Sequence, residues 1–170
     1  MKNTAIPQKR FRPTVLPDFR PSGLLELESN NKEGVLLKHV EPADACEPNT
    51  FYAKTSIGQR PLYKLMIYRD DSLVQEFELM EKSSYIVGRA SGETVVADIP
   101  IEEDTCSKQH CVIQFRQQNG QLKAYLMDLE SSNSTTLNGD EIPSSHYVQL
   151  RPGDIISSLD SQYDLVFMNS

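Results

Sequence analysis

The sequence predicts an all-β protein, an antiparallel β-sandwich of about eleven strands preceded by a disordered N-terminal arm. From Tyr63 onward, short runs rich in β-branched and aromatic residues recur at regular spacing, and turn dipeptides separate most of them. No stretch shows the 3.6-residue period of a convincing helix. Six of the ten prolines fall within residues 1–60, where neither period persists for long. We therefore expect a largely disordered arm at 1–60 and one domain at 61–170.

The arm contains two apolar islands, Leu24–Leu27 and Val35–Val40, separated by a polar stretch. A solvated linker has no use for such islands, so we expect them to become ordered on the surface of a partner. The second island would form a helical turn with Leu36, Leu37 and Val40 on one side. The alternative is that the islands pack on the domain of this same chain.

Strands are expected where the apolar or alternating runs occur, and hairpins where turn dipeptides lie between two runs. The runs are Tyr63–Tyr68, Val74–Leu79, Tyr85–Val87, Val95–Ile99, Cys111–Arg116, Leu122–Leu129, Tyr147–Leu150, Asp154–Ser157 and Tyr163–Met168. The hairpin dipeptides are Asp70-Asp71, Asn119-Gly120 and Asn138-Gly139, and Pro152-Gly153 marks another turn.

Charge and cysteine content exclude several classes of protein. Residues 1–20 carry a net charge of +4, whereas residues 61–170 carry −9, so the domain lacks the broad basic face of a direct nucleic-acid binder. No run is long enough to enter a membrane as a helix. Cys46, Cys106 and Cys111 lack Cys-x-x-Cys spacing, so we expect reduced thiols, no metal site and no cofactor.

A spaced set of polar residues stands out in the second half of the chain. It comprises Gly88-Arg89, Ser107-Lys108-Gln109-His110, Ser132-Asn133-Ser134-Thr135 and Asn138-Gly139. A guanidinium, hydroxyls and an amide, each next to a short apolar run, suit the recognition of a phosphate by charge-assisted hydrogen bonds. The set therefore predicts a binding pocket on loops at one end of the sandwich, with no catalytic residues.

In order and spacing, these residues resemble the forkhead-associated (FHA) domain family over roughly residues 60–170. The resemblance implies a monomeric domain that binds phosphothreonine peptides. It implies that Arg89, Ser107, Lys108 and Ser132 contact the phosphate and that Asn133 holds the peptide backbone. The residues implied to support the site are Gly88, His110, Thr135, Asn138 and Gly139.

One position departs from the family pattern. A glycine usually follows the asparagine, and Ser134 stands there in this chain. If the position has a positive φ, serine costs on the order of 1 kcal/mol and could tilt Asn133. The acidic run Glu102-Glu103-Asp104 lies just before Ser107 and would repel a phosphopeptide that lacks basic flanks.

The arm carries a second resemblance. Residues 17–42 are similar to the arm of the FHA subunit of the pre-mRNA retention and splicing (RES) complex. This similarity implies docking on a subunit with an RNA-recognition motif, entry into the spliceosome, nuclear location, and a role in splicing and in retention of unspliced pre-mRNA. The implied docking residues are Pro17, Asp18, Phe19, Leu24, Leu25, Leu27, Leu36, Leu37 and Val40.

Three alternatives remain open at this stage. In the first, the phosphate pocket is idle and the domain is a rigid body that acts only through its arm. In the second, Ser107, His110 and Asp128 form a hydrolase triad, although the chain has no Gly-x-Ser-x-Gly elbow. In the third, the chain is an FHA protein of another kind, such as a DNA-damage or transcription regulator.

Overall fold

A computed structural model describes residues 31–32, 34–54, 60–92 and 95–170. Within these residues the elements are one short helix and thirteen strands. Seven of the strands have only two or three residues, and the other six have six to eight. In chain order they are β1 (Asn31–Lys32), β2 (Val35–Leu36), α1 (Pro48–Ala53), β3 (Tyr63–Arg69), β4 (Ser72–Glu78), β5 (Ser84–Arg89), β6 (Ile99–Ile101), β7 (Cys111–Gln118), β8 (Gln121–Asp128), β9 (Thr136–Leu137), β10 (Asp140–Glu141), β11 (Val148–Leu150), β12 (Ile155–Ser157) and β13 (Tyr163–Asn169).

Eleven of the strands form two sheets that face each other, while β1 and β2 pair with one another as a separate two-stranded sheet. One sheet has six strands in the order β10-β9-β12-β13-β3-β4, and the other has five in the order β11-β8-β7-β5-β6. All pairs within them are antiparallel except β5 with β6. The predicted sandwich of about eleven strands is therefore confirmed. Among the described residues there is no helix with the length and apolar character that crossing a membrane requires.

The main core lies between the two sheets and follows the alternation of each strand. Leu65 and Phe167 from the six-stranded sheet meet Ile113, Phe115 and Leu126 from the five-stranded sheet, and all five are buried. The rings of Phe115 and Phe167 lie 6.3 Å apart between centroids. This interior fixes the positions of β5, β7 and β8, whose ends carry the loops of the predicted pocket.

A second apolar cluster lies on the opposite face of the five-stranded sheet. It consists of Ile86, Val112, Tyr125, Met127, Leu129 and Tyr147, and Leu37 packs against it. Residues 36–46 run across this face, and Ala45 forms an isolated antiparallel bridge to Arg116 of β7. The helix α1 that follows contacts the other sheet, where the hydroxyls of Tyr52 and Tyr63 are hydrogen-bonded at 3.1 Å. This part of the arm therefore has a defined place on the domain of the same chain, unlike the disordered segment and the partner-bound helical turn expected for Val35–Val40.

The physical reason lies in buried polar groups on that face of β7. Gln114 is fully buried, and its side chain accepts a hydrogen bond from His39 Nε2 (2.8 Å) and donates to Glu41 Oε1 (3.1 Å). Arg116, also buried, forms an ion pair with Asp44 through Nε and Oδ1 at 2.7 Å. Without the arm, Gln114 and Arg116 would lose the partners that satisfy their polar atoms, and an unsatisfied polar atom on a buried face is costly.

The remaining arm predictions fall on Pro17, Asp18, Phe19, Leu24, Leu25 and Leu27, which lie outside the described residues. Of the others, Leu36 is exposed, while Leu37 and Val40 are half-buried against the sandwich. Their role in docking on a partner stays a prediction.

One predicted strand was wrong in position, and one short helix was not predicted. The run Val95–Ile99 is not a strand up to Ala97, and β6 instead covers Ile99–Ile101. Its Pro100 is tolerated because β6 is the edge strand of its sheet. A helix was not predicted, yet α1 forms with Pro48 in its first turn, where the missing N–H of proline costs nothing.

The hairpin predictions hold at all three dipeptides. Asp70-Asp71 joins β3 to β4, Asn119-Gly120 joins β7 to β8, and Asn138-Gly139 joins β9 to β10. Both residues of each pair have positive φ, as a type I′ turn requires.

Candidate phosphate-binding site

Three loops of the predicted pocket meet at one end of the five-stranded sheet. Strand β5 ends at Gly88-Arg89, β7 begins directly after the loop that carries Ser107 and Lys108, and β8 ends before the loop that carries Ser132 and Asn133. Because β7 is the antiparallel neighbour of both β5 and β8, these three points lie at the same end of the sheet, which we call the site edge. The fold therefore brings together the five residues predicted to contact a phosphopeptide.

Gly88 allows the first two loops to approach closely. A Cβ atom at this position would lie 1.9 Å from the carbonyl oxygen of Lys108, which is far inside contact distance. The adjacent N–H of Arg89 donates to the carbonyl of Ser107 at 2.9 Å. The Gly-Arg pair thus seats the Ser107 loop against β5 by backbone contact, and glycine is needed for space rather than for an unusual φ.

His110 holds the Ser107 loop from inside, as predicted. Its ring is buried, with Nδ1 accepting a hydrogen bond from the N–H of Ser107 (3.1 Å) and Nε2 donating to the carbonyl of Ser134 (3.0 Å). Its own backbone N–H donates to Val87 O, and its carbonyl accepts from the N–H of Leu129. One side chain therefore ties the second loop of the site to the third.

These contacts require the neutral ring with its proton on Nε2. Burial is the largest influence on His110 and lowers its pKa below the usual value of 6.5, although the Ser134 carbonyl and the charge of Asp128 act in the opposite direction. Protonation of Nδ1 would set a proton against the N–H of Ser107. The hydrogen bonds that His110 makes to this loop therefore form at neutral pH, where the ring is uncharged.

The second and third loops are also joined at the surface. Ser107 Oγ accepts a hydrogen bond from the N–H of Ser132 at 3.1 Å, and Asn133 Nδ2 donates to the carbonyl of Thr105 at 2.7 Å. Ser107 and Asn133 are half-buried, whereas Ser132 is exposed. The serine hydroxyl keeps its proton as a donor for a ligand. The side-chain oxygen Oδ1 of Asn133 and the second proton on its Nδ2 have no partner among the described residues, whereas its backbone carbonyl accepts from the N–H of Leu159 (3.1 Å).

Asp128 organises the third loop, a role that our sequence reasoning missed. Its buried carboxylate accepts hydrogen bonds from the N–H and the hydroxyl of Ser131 and from the hydroxyl of Thr135, the last at 2.6 Å. An aspartate at a strand end with a serine three residues later is a turn-forming pattern, and that pattern was the available signal. Thr135, a residue predicted to support the site, makes this buried contact with Asp128.

Ser134 has the positive φ that the family pattern suggested, with a value of 58°. Its hydroxyl donates to Glu141 Oε2 at 2.7 Å, and its carbonyl receives the His110 hydrogen bond described above. The serine is thus held in the left-handed region by two hydrogen bonds, which offset part of the strain. Asn133 keeps its contact with Thr105 in spite of the substitution.

Arg89 and Lys108 supply the positive charge at the site edge. Arg89 is half-buried, Lys108 is exposed, and no described residue accepts a side-chain hydrogen bond from either. Of the neighbouring acids, Glu103 is turned away, because its carboxylate accepts from the Ser161 hydroxyl (2.6 Å) and the Gln162 N–H (2.9 Å). A guanidinium, an ammonium and hydroxyl donors can bind a dianionic phosphate without any covalent step.

The Asn138-Gly139 turn is not part of the site edge. The Asn138 side chain donates to Asp154 Oδ1 (3.0 Å) and accepts from the N–H of Ile155 (2.9 Å), so it joins its own hairpin to β12. Its predicted support of the pocket is at most indirect.

The geometry of Ser107 and His110 is unsuited to a hydrolase. The ring nitrogens of His110 contact the Ser107 N–H and the Ser134 carbonyl, and neither is hydrogen-bonded to Ser107 Oγ. Asp128 is engaged by Ser131 and Thr135 instead of by the imidazole. The nucleophile and base pair that a triad requires is therefore not formed.

Comparisons with known proteins agree with the fold. The FHA domain family matches residues 85–157. Pre-mRNA leakage protein 1 of Saccharomyces cerevisiae is 46% identical over 99% of this chain and 94% of that protein. A solved structure of the yeast Pml1 splicing factor, concerned with its integration into the RES complex, has a TM-score of 0.73 at 46% identity and covers 79% of this chain and 98% of that chain. The FHA domain-containing protein DDL of Arabidopsis thaliana is 32% identical over 90% of this chain, which spans only 48% of its length.

Proposed function

Because this chain belongs to the pre-mRNA leakage protein 1 family of FHA-domain proteins, we propose that it is a non-enzymatic subunit of a RES complex. In this role it acts in the nucleus and supports splicing and the retention of unspliced pre-mRNA. The relatives support a scaffold rather than a catalyst, since the structure on which the proposal relies concerns a splicing factor in such a complex. The domain itself contacts pre-mRNA only through partners, because residues 61–170 carry a net charge of −9.

The FHA domain, in this proposal, binds phosphothreonine peptides. The observation that carries it is the convergence of Arg89, Lys108, Ser107 and Ser132 at the site edge, with both cationic groups lacking acceptors among the described residues. A hydrogen bond to a charged group contributes about 1.5–3 kcal/mol, so two or three contribute roughly 3–6 kcal/mol, or about 10²–10⁴ in affinity. That range is sufficient for phosphorylation to switch binding on.

The test is a fluorescence-anisotropy titration of the full chain with a degenerate phosphothreonine peptide pool and with its unphosphorylated counterpart. Binding should require the phosphate, should be lost in Arg89→Ala, and should be only partly restored by Arg89→Lys, because lysine cannot donate two parallel hydrogen bonds. Arg151→Ala, at an exposed arginine outside the site, is the matched control. Equal binding of all proteins to both pools would overturn the proposal.

We further propose that the arm docks on a subunit with an RNA-recognition motif, through the islands that contain Leu24, Leu25, Leu27 and the exposed Leu36. Purified partner subunit should be retained by the full chain and by Arg89→Ala, and lost when Leu24, Leu25 and Leu27 are replaced by alanine. Loss of assembly in Arg89→Ala would contradict this separation of roles between pocket and arm.

One observation favours the second candidate, a scaffold whose pocket is idle. The Asn133 amide already donates to the Thr105 carbonyl at 2.7 Å, so a bound peptide would have to use its remaining groups or displace that contact. In this case the anisotropy titration gives no phosphate dependence, while partner assembly through the arm is intact. The two experiments together distinguish the two functions.

A further inference from the structure

Gln109 lies between two residues of the predicted site, Lys108 and His110, yet its side chain faces the arm. It is buried, with 6% of its surface exposed. Its Oε1 accepts a hydrogen bond from the N–H of Lys38 (2.8 Å), and its Nε2 donates to the carbonyl of Leu36 (3.1 Å). The side-chain amide thus hydrogen-bonds to the backbone of both Leu36 and Lys38, as the backbone of a neighbouring strand would.

A second contact joins the same part of the arm to the third loop of the site. Lys38 Nζ donates to the carbonyl of Leu129 at 3.3 Å, just before the loop that carries Ser132. Between these contacts, Leu37 packs against the apolar cluster that includes Leu129. Leu129 in turn donates its N–H to the carbonyl of His110. The segment Leu36–Lys38 therefore touches both loops that the phosphate site needs.

We propose that Gln109 is a positioning residue of the site and that Leu36–Lys38 is a support on which the pocket depends. The inference rests on the proposed phosphopeptide binding for its functional meaning. When the segment is in place, the Ser107 and Ser132 loops keep their relative position. When it is displaced, both loops lose a neighbour and the affinity for a phosphopeptide falls. By linkage, a bound phosphopeptide holds the segment on the domain more firmly.

The test uses the full chain with Gln109→Met, which keeps the length of the side chain and removes its donor and acceptor. We expect the affinity for the phosphothreonine peptide pool to fall about fivefold or more, the lower end of typical coupling between sites. The amide NMR signals of Ser107 and Ser132 should shift at the same time. Gln117→Met, at an exposed glutamine of β7, is the control and should change neither readout. Unchanged affinity and unchanged Ser107 signals in Gln109→Met would overturn the proposal.

Two further measurements keep the inference separate from the fate of the proposed function. If the wild-type chain fails to bind the peptide pool, the phosphopeptide function is wrong, but a shift of the Ser107 signal in Gln109→Met still supports the coupling and its absence refutes it. If Gln109→Met does not fold, Lys38→Ala removes only an exposed side chain and should shift the Ser132 signal, with Lys54→Ala as control.

The reciprocal effect requires no variant. Saturation of the wild-type chain with the phosphothreonine pool should slow hydrogen exchange of the Lys38 amide, which lies outside the pocket. Because a bound ligand slows every amide that exchanges by global unfolding, the slowing at Lys38 must exceed that at a core amide such as Phe115. Binding of the pool with unchanged Lys38 exchange would count against the coupling.

Discussion

Gly88 makes room for the loop that carries Ser107 and Lys108. Its replacement by alanine tests the steric effect of a side chain without the backbone strain of a positive φ. In Gly88→Ala the new Cβ would meet the Lys108 carbonyl, so the loop must move away from β5. We expect a loss of about 2–3 kcal/mol in the free energy of unfolding, typical of overpacking. Gly120→Ala, where a Cβ meets no atom within 4 Å, is the control for strain alone. Urea unfolding measures both, and equal losses would contradict the steric account.

Ser134 shows how a departure from the family pattern can be accommodated. Its φ of 58° favours glycine, but its hydroxyl has a partner in Glu141. Ser134→Ala keeps the strain and loses the hydrogen bond, so we expect it to be destabilised by about 0.5–1.5 kcal/mol. Ser134→Gly loses the hydrogen bond and relieves the strain, so it should unfold at higher urea concentration than Ser134→Ala. The reverse order would show that strain at this position is negligible.

The lowered pKa values of His39 and His110 predict how the free energy of unfolding depends on pH. Burial lowers the pKa of both below the usual value of 6.5, so the folded chain binds fewer protons than the unfolded chain as the pH falls through 6.5. Their contribution to stability is full above that value and is lost below it, with a limiting slope of about 1.4 kcal/mol per pH unit for each histidine.

Urea unfolding of the full chain between pH 7.5 and about 5.5 measures this slope, above the range where most carboxylates titrate. His110→Gln or His39→Gln should each reduce the slope by the share of one histidine. Stability that rises as the pH falls would contradict the neutral rings.

At the scale of secondary-structure elements, the arm segment 34–54 behaves as a layer of the domain. It covers Tyr125 and Tyr147, whose rings also stack on the guanidinium of Arg116 at 5.6 and 5.0 Å. A chain of residues 61–170 would expose this apolar cluster to water and remove the hydrogen bonds of Gln114 to His39 and Glu41, each with a net value of about 0.5–1.5 kcal/mol.

We therefore expect residues 61–170 alone to lose at least about 3 kcal/mol of stability, whereas residues 34–170 should unfold within about 1 kcal/mol of the full chain. Urea unfolding followed by near-ultraviolet circular dichroism compares the three chains. Cooperative unfolding of 61–170 at the same urea concentration as the full chain would show that the arm adds nothing to the fold.

The sequence was sufficient to predict the sandwich because its signals are local. Alternation along strands and the turn dipeptides, such as Asn119-Gly120, act over a few residues, and these features decided the pairing of β7 with β8. The arm could not be predicted in this way. Its order depends on contacts 72 to 75 positions away, such as Asp44 with Arg116 and His39 with Gln114, and no local pattern encodes them.

The same difference between local signals and contacts between distant residues applies to the candidate site. Arg89, Ser107 and Ser132 were found because the family spacing places their loops in order along the chain. Asp128 and Gln109 were missed as supports because their roles depend on three-dimensional neighbours, a carboxylate that collects hydroxyls in one case and an amide that faces the arm in the other. The residues predicted to contact a ligand follow a motif along the chain, whereas the residues that hold their loops in place do not.

At the scale of the whole molecule, the charge of the domain bears on which phosphopeptides the proposed site would admit. Residues 61–170 carry −9, and Glu102 and Asp104 are exposed just before the Ser107 loop, while a phosphate adds about −1.5 to −2 of its own. Arg89 and Lys108 offset this repulsion only at short range. A ligand that brings basic residues beside its phosphothreonine would gain from the acidic surroundings that penalise other ligands.

We therefore expect phosphothreonine peptides with Lys and Arg flanks to bind about threefold to tenfold more tightly than Glu-flanked peptides, as one or two exposed ion pairs of up to about 1 kcal/mol each would give. The preference should shrink as salt is raised from about 0.05 to 0.5 M, because the Debye length falls below the spacing of surface charges. Anisotropy titrations at both salt concentrations measure it, and the double variant Glu102→Gln with Asp104→Asn should weaken it. A preference for acidic flanks, or one that salt does not change, would mean that the loops rather than the overall charge select the ligand.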